Sequence, residues 1–457
     1  MENLSVKPEM PLQAGPAPAI YLEAAQHIGR QLCRDAIWCE QSCNWLSYSG
    51  EEQADARLPV RPYARALQQD LYSGLSGVLF FLNALRRVIQ EPWLKKIQAG
   101  ALQALLKMTE NPTGSGMYAG TAGTAYVLIT AGREMDNPQA LQRGLELLRA
   151  LAQRPSSENR LDLIDGSAGE ILILLRMHRD FPNEQFLDTA ITLGHWLVQA
   201  AVPQTMGKAW VTIEGARPLT GLAHGAAGIA HALQELYQET HIPAFLEAAE
   251  QGFAYEAGCY DVEAGNWPDF RSDVPELGQG LAPGEKPYCA TAWCHGAPGI
   301  GLTRLRAWEL TGKQAYLDEA NQALKTTLET QQFEMMPNIC LCHGLTGNAD
   351  LFIEAARILK DPKWMEPART VADWLYQKRV GESAALLSGI QTEYDLPDLM
   401  LGWSGVGYFF LRMHDVERFP SILYGCNLKK NRIMDITDLS DINMISFTQQ
   451  QSNFIRT

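Results

Sequence analysis

The sequence has no excess of basic residues and no long apolar run. Its 457 residues carry a formal net charge of −14, with 38 lysines and arginines against 52 aspartates and glutamates. Nucleic acids and anionic membrane surfaces bind basic patches, so we expect neither as a partner. The longest apolar stretches cover about ten residues, which is too short for a membrane span. No signal peptide is visible in the first twenty residues, and we expect a cytoplasmic protein.

The sequence also lacks the cysteine pattern of a disulfide framework. It contains nine cysteines, an odd number scattered over a long chain. This usage favours free thiols and metal ligation in a reducing compartment. Hydrophobic residues make up 46% and charged residues 20% of the chain, as in ordinary globular proteins.

An internal repeat is the most informative feature that is present. A Gly-x-x-Gly motif occurs seven times, at residues 74–77, 120–123, 166–169, 225–228, 296–299, 344–347 and 402–405. Successive copies are 46 to 71 residues apart. Such a period is typical of architectures in which each repeat packs against its neighbours to bury a continuous core.

Each motif is followed by a segment that is apolar on nearly every face, which indicates a buried helix. Between these segments lie amphipathic ones with apolar residues at helical spacing, for example residues 139–153, 185–201, 313–331 and 363–378. Residues 19–40 would form the first of these outer helices. We therefore predict an all-α protein, a double-layered α/α toroid (barrel) of seven inner and seven outer helices. Closure is favoured over an open solenoid because the first and last repeats lack an obvious polar cap.

Two segments interrupt this alternation, at residues 203–222 and 258–292. Loops of this length are usually functional, and the second leads directly to Cys294, so we predict that it forms a wall or lid of the site. The toroid is expected to cover residues 18–420. Residues 1–17 are expected to be a flexible N-terminal segment, and residues 421–457 a polar, poorly ordered tail.

Two cysteines and a histidine lie at the start of the fifth and sixth motifs. The sequence around the fifth reads Trp-Cys-His-Gly-Ala-Pro-Gly at residues 293–299, and the sixth reads Cys-His-Gly-Leu-Thr-Gly at residues 342–347. If these loops are neighbours, Cys294, Cys342 and His343 form a Cys2His set that leaves the fourth position of a zinc ion open, as in catalytic zinc sites. Cys342 and His343 are adjacent, so both can reach one metal only from a turn. Cys340 remains an alternative ligand.

The seven ordered motifs and the two cysteine motifs resemble those of the lanthionine synthetase C-like family. The resemblance covers about residues 18–420. Residues 222–229 and 400–407 are especially similar to the cyclase half of the class II lanthipeptide synthetases. The resemblance implies a zinc-dependent enzyme that closes thioether rings in lanthipeptides.

The resemblance also implies roles for individual residues. Zn²⁺ would be held by Cys294, Cys342 and His343, the set already proposed on chemical grounds. The acid–base histidine of the family corresponds to His224, and its partner aspartate to Asp162.

The sequence departs from the stand-alone class I cyclases at two positions. Those enzymes have an arginine four residues before the first zinc cysteine and a tyrosine directly after it, where this sequence has Ala290 and His295. These two roles are not transferred, and we expect His295 to contact the substrate or to support the metal ligands.

The implied reaction is a Michael addition of a peptide cysteine thiolate to dehydroalanine or dehydrobutyrine. The partner would be a dehydrated precursor peptide, and the dehydratase would be a separate protein because the dehydratase half of the class II enzymes has no counterpart here. Two alternatives stay open: addition of glutathione or another thiol to dehydroamino acids in proteins, and a non-catalytic peptide-binding role. A glycosidase is disfavoured because the residues directly before the glycine motifs are cysteine and histidine, and not the paired carboxylates that glycosidases use.

Overall fold

A computed structural model describes residues 19–51, 61–155, 160–273, 286–331, 338–390 and 394–425. These ranges contain fourteen α-helices in two concentric layers. The inner layer consists of α2 (Leu75–Arg86), α4 (Thr121–Glu134), α6 (Ser167–Asp180), α8 (Ala226–Thr240), α10 (Ala297–Thr311), α12 (Leu345–Leu359) and α14 (Trp403–His414). The outer layer consists of α1 (Ala19–Asp35), α3 (Pro92–Met108), α5 (Pro138–Leu151), α7 (Phe186–Ala200), α9 (Pro243–Cys259), α11 (Gln314–Glu329) and α13 (Met365–Tyr376). The predicted toroid of seven inner and seven outer helices is confirmed.

Each inner helix begins directly after the first glycine of a motif. The second glycine lies in the first turn of the helix, against the carbonyl oxygen of the residue six positions earlier. A Cβ atom on Gly123 would collide with the carbonyl oxygen of Met117, and one on Gly347 with that of Leu341. The glycines therefore allow each helix start to pack closely on the turn that precedes it.

A ring of backbone hydrogen bonds closes the toroid at the motif end. In each repeat the residue two positions before the first glycine, or its direct neighbour, donates its N–H to the carbonyl of the next repeat. The links, of 2.9 to 3.3 Å, are Tyr72 to Tyr118, Tyr118 to Ile164, Leu163 to Ala223, Ala223 to Cys294, Cys294 to Cys342, Cys342 to Met400, and Met400 back to Tyr72. Because the seventh repeat bonds to the first, the fold is a closed ring.

Ion pairs link the inner helices at their opposite, C-terminal ends. Each pair joins one inner helix or the residue after it to the next inner helix. The pairs are Arg87 with Glu134, Arg133 with Asp180, Arg179 with Glu239, Arg306 with Glu235, Arg357 with Glu309, and Arg412 with Glu354. The pairing matters most for Arg412 and Glu354, which are both buried, because a buried charge without a partner is costly.

Three antiparallel strand pairs accompany the helices: β1 (Ile37–Cys39) with β2 (Ser42–Asn44), β3 (Leu46–Glu51) with β4 (Arg61–Ala66), and β5 (Val202–Pro203) with β6 (Lys208–Ala209). The prediction that the first outer helix extends to residue 40 is wrong, since α1 ends at Asp35. The chain instead turns into β1, where the ring of Trp38 lies over Gly100 of α3.

The predicted boundary of the toroid at residue 420 is also wrong. Residues 421–425 pass through the interior of the ring, where three consecutive carbonyls accept hydrogen bonds from different repeats. Tyr118 donates to the carbonyl of Ile422, Trp293 to that of Leu423, and His231 to that of Tyr424, at 2.6 to 2.7 Å. The segment is held by these side chains although it has no helical pattern.

The predicted flexible segment, residues 1–17, and the rest of the predicted tail, residues 426–457, lie outside the described residues. No helix in the described ranges combines the length and the apolar character that crossing a bilayer requires.

Candidate functional site

The three predicted metal ligands lie together at the motif end of the ring. The ligand atoms of Cys294, Cys342 and His343 are all within 4.8 Å of one another. The ring of backbone hydrogen bonds brings the fifth and sixth motifs together, since the Cys294 N–H donates to the Cys342 carbonyl at 3.3 Å. Cys342 and His343 lie in a turn before α12, so their adjacent side chains can converge.

The protonation of the three groups suits a metal. The thiol of Cys342 donates a hydrogen bond to Cys294, which is the main cause that lowers the pKa of Cys294; burial opposes this shift. The pKa of Cys342 is raised by the same bond and by burial. Burial lowers the pKa of His343, so its imidazole is neutral. A divalent cation would displace the proton of the Cys342 thiol and bind both sulfurs as thiolates.

The orientation of His343 selects one ring nitrogen for a metal. Its Nε2 lies 2.7 Å from the carbonyl oxygen of Gly389, so Nε2–H donates to that oxygen and Nδ1 keeps its lone pair. A backbone carbonyl that fixes the tautomer in this way is a usual partner of a metal-binding histidine. Sequence reasoning missed Gly389, because a backbone carbonyl leaves no residue-type signal.

Cys340 does not join the group. Its sulfur accepts a hydrogen bond from the His343 N–H at 3.4 Å, and burial raises its pKa to about 12. It remains a thiol beneath the turn, and the metal group within the described residues contains Cys294, Cys342 and His343 alone. Two thiolates and one imidazole fit zinc, with a fourth position left for a substrate.

His224 and Asp162 form a pair beside the cysteines. Nδ1 of His224 lies 2.7 Å from Oδ2 of Asp162, and the two side chains are 33% and 5% exposed. Asp165, the neighbouring carboxylate, contributes only its backbone N–H, which donates to Oδ1 of Asp162 at 2.9 Å. The histidine is therefore oriented by a buried carboxylate, and its other nitrogen is available to a reactant.

Tyr72 is a site residue that sequence reasoning missed. It lies two positions before the glycine of the first motif, the position that Cys294 and Cys342 occupy in theirs. Its hydroxyl donates a hydrogen bond of 2.8 Å to the sulfur of Cys342. The equivalence of motif positions was visible in the sequence, but the contact depends on closure of the ring.

The described parts of the segment at residues 258–292 border the site, as expected for a wall. Asp269 holds Arg271 through two short contacts, Nε to Oδ1 at 3.0 Å and Nη2 to Oδ2 at 2.6 Å. Burial alone would lower the pKa of Arg271, but Asp269, Cys294 and Cys342 raise it. A guanidinium cation thus lies close to the two cysteines.

His295 is fully buried next to His224, with ring centroids 6.2 Å apart. Its Nδ1 lies 3.2 Å from the Thr220 carbonyl and 3.7 Å from Oδ1 of Asp269. Burial is the main cause that lowers the pKa of His295 to about 3. The neutral ring supports the wall of the site, and the expectation of direct substrate contact remains a prediction.

Fold and site together define a toroidal, mostly helical protein in which two cysteines and a histidine that could hold a metal lie next to a histidine–aspartate pair. The chain belongs to the lanthionine synthetase C-like family, whose model matches residues 65–424.

Individual relatives match shorter parts of the chain. The zebrafish (Danio rerio) protein "Glutathione S-transferase LANCL1" is 35% identical over 82 residues, 18% of this chain and 20% of that protein. The Lactococcus lactis subsp. lactis "Lacticin 481/lactococcin biosynthesis protein LcnDR2" is 26% identical over 203 residues, 42% of this chain and 20% of that protein. The matched segments span about a fifth of each relative. The solved structure of "Nisin cyclase" shares the fold, with a TM-score of 0.55, 18% identity, and coverage of 77% of this chain and 90% of that chain.

Proposed function

We propose that this protein is a zinc-dependent cyclase that forms lanthionine and methyllanthionine rings in a dehydrated precursor peptide. The observation that carries the proposal is the position of the metal group, Cys294, Cys342 and His343, beside the pair of His224 and Asp162. The family, and the relative named for lacticin 481/lactococcin biosynthesis, support the same reaction class. A dehydratase activity would supply the substrate.

Zinc held by the two thiolates and Nδ1 of His343 would bind a substrate thiol and favour its ionised form. As anionic ligands, Cys294 and Cys342 would keep a substrate sulfur at this site electron-rich, which suits a nucleophile. A free cysteine thiol has a pKa of about 8.5, so little of it is ionised at neutral pH without such help.

The residues of the chain then handle the proton. As the sulfur attacks the β-carbon, a C–S bond forms and the electron pair of the Cα=Cβ bond moves to the carbonyl oxygen, giving an enolate. His224 accepts the thiol proton and returns one to the α-carbon, and the Asp162 carboxylate stabilises the imidazolium in between. The product contains the same atoms as the reactant, so no co-reactant is needed.

Arg271 supports the same step electrostatically. Its guanidinium lies close to the cysteines and is held by Asp269. A fixed cation here stabilises negative charge on sulfur and on the developing enolate without reorganisation during the reaction.

A second candidate is the addition of a free thiol such as glutathione to dehydroamino acids. The family member with 35% identity over 82 residues is named a glutathione S-transferase, and the same metal and proton groups would serve. The two candidates differ in the source of the sulfur and not in the chemistry.

One experiment tests both candidates. The zinc-loaded protein is incubated with a dehydrated peptide that contains one cysteine, and separately with a cysteine-free dehydrated peptide plus glutathione. Ring closure leaves the peptide mass unchanged but removes its alkylatable thiol, whereas glutathione addition increases the mass. We expect loss of the thiol in the first reaction, and the Cys342→Ala variant should show none. A mass increase alone would establish the thiol-addition activity instead.

A further inference from the structure

Three sulfur atoms would meet at the metal during the proposed reaction, and only one of them should react. Two belong to Cys294 and Cys342, and the third belongs to the substrate. Any of the three could attack the β-carbon of a dehydroamino acid. Attack by Cys342 would form a C–S bond to the protein, move the C=C electron pair to the enolate, and place a proton on the α-carbon, giving a permanently alkylated enzyme.

Tyr72 lies where it can prevent this side reaction. We propose that Tyr72 is a positioning residue that lowers the nucleophilicity of Cys342 by donating a hydrogen bond to its sulfur, and so directs the electrophile to the substrate thiolate. The proposal rests on the proposed function and on the 2.8 Å contact between the Tyr72 hydroxyl and Cys342 Sγ.

The backbone fixes this contact from both sides. The Cys342 N–H donates to the Met400 carbonyl at 3.0 Å, and the Met400 N–H donates to the Tyr72 carbonyl at 2.9 Å. Tyr72 and Cys342 are thus two links apart in the ring of backbone hydrogen bonds. A hydrogen bond to a thiolate withdraws electron density from sulfur and occupies one of its lone pairs.

The chain offers a matched control for this tyrosine. Tyr118 occupies the same position in the second motif and belongs to the same backbone ring, but its hydroxyl donates to the Ile422 carbonyl at 2.6 Å. Tyr118→Phe therefore removes one buried hydroxyl hydrogen bond from the ring without changing the surroundings of Cys342.

The test compares Tyr72→Phe with the wild type and with Tyr118→Phe. Each protein, loaded with zinc so that Cys342 is held as a thiolate, is exposed to N-acetyldehydroalanine methyl ester, a small electrophile that brings no thiol. Alkylation of Cys342 is followed by peptide mass spectrometry. We expect a rate about 3- to 10-fold higher in Tyr72→Phe, because a hydrogen bond to a charged group changes thiolate basicity by about one to two pKa units and nucleophilicity follows about half of that change. Tyr118→Phe should match the wild type.

A spectroscopic measurement separates this role from simple packing. In the Co²⁺-substituted proteins, the sulfur-to-cobalt charge-transfer band of Tyr72→Phe should move to lower energy, because the sulfur donates more strongly, while Tyr118→Phe leaves it in place. Equal alkylation of Cys342 and an unchanged band in Tyr72→Phe would overturn the proposal. Absence of ring closure in the activity assay would refute only the proposed function, because neither the alkylation of Cys342 nor the cobalt spectrum uses a thiol substrate.

Discussion

Asp162 accepts two hydrogen bonds with different purposes, and one of them links it to His224. Its Oδ1 accepts the Asp165 N–H at 2.9 Å and so closes the turn before α6, while its Oδ2 lies 2.7 Å from Nδ1 of His224. Asp70 and Asp398 occupy the same position in the first and seventh motifs and close the same turn, at 2.7 and 3.2 Å. The His224–Asp162 pair is therefore built on a turn carboxylate that recurs in the repeat, and in this motif the second carboxylate oxygen also contacts a histidine.

The first prediction separates proton transfer from metal binding. His224→Asn should keep zinc but slow ring closure by about 10²- to 10⁴-fold, the usual contribution of an acid–base group. Asp162→Asn should also keep zinc and slow the reaction less, because the aspartate acts through the orientation and charge of His224. Zinc content and loss of alkylatable peptide thiol are measured on the same preparation of each variant.

Asp398→Asn serves as the matched control for the aspartate change. Asp398 occupies the same turn position in the seventh motif. Its Oδ2 accepts a hydrogen bond from the Ser47 hydroxyl at 2.9 Å and has no histidine partner like His224. Unchanged rates in His224→Asn would remove this histidine from the mechanism. Loss of zinc there would make it a ligand or a structural support.

The second prediction concerns the metal. The purified chain should contain about one zinc, and Cys342→Ala should lose most of it because the remaining two ligands are insufficient for tight binding. Cys340→Ala is the control, since that buried thiol lies two residues away and outside the metal group. Metal content is measured by elemental analysis. Full occupancy in Cys342→Ala, or comparable loss in both variants, would contradict the assignment.

The fold was largely readable from the sequence for a physical reason. The second glycine of each motif is the only residue type that fits against the preceding carbonyl, as at Gly123 and Gly347, so each inner helix carries a sequence mark at its start. Cys294 and Cys342 could be singled out because they belong to two such marked turns. The repeat thus encodes both the layer structure and the end of the ring at which the candidate site lies.

The parts that escaped prediction depend on contacts that carry no local pattern. Tyr72 is 270 residues from Cys342 in sequence, and only ring closure brings them together. Gly389 contributes a carbonyl, which every residue has. Residues 421–425 are held by side chains of three separate repeats, so their own sequence gives no sign that they lie inside the toroid.

The third prediction concerns stability and pH. Burial raises the pKa of Asp398 to about 7 from an ordinary value of 3.8. The folded chain therefore holds a proton here that the unfolded chain releases, and this group lowers the free energy of unfolding as pH rises from about 4 to about 7. Asp398→Asn mimics the protonated acid, so it should be more stable than the wild type by on the order of 2–4 kcal/mol at pH 8 and nearly equal at pH 4.

Urea unfolding of both proteins across this pH range provides the measurement. Asp318→Asn, which changes an exposed carboxylate on α11, controls for the loss of one negative charge from a chain with a net charge of −14. Parallel pH curves for Asp398→Asn and the wild type would show that Asp398 is already ionised in the folded protein.

The fourth prediction concerns Arg271, whose cation lies close to the two cysteines. Arg271→Gln removes this charge and breaks its ion pair with Asp269 at 2.6 Å. Loss of the cation disfavours thiolates, so zinc affinity or the rate of ring closure should fall by about 10- to 100-fold. Affinity is measured by competition with a chelator, and the rate by loss of peptide thiol.

Two further variants distinguish electrostatics from the packing of this segment. The guanidinium of Arg217 stacks on Phe270, the residue before Arg271, at 3.6 Å from the ring centroid. If only the charge near the cysteines matters, Arg217→Gln should leave zinc affinity unchanged. The Asp269→Asn/Arg271→Gln double variant should recover part of the affinity lost by Arg271→Gln, because it restores the local charge balance. If the double variant binds zinc no better than Arg271→Gln, the arginine acts by positioning the wall of the site and not through its charge.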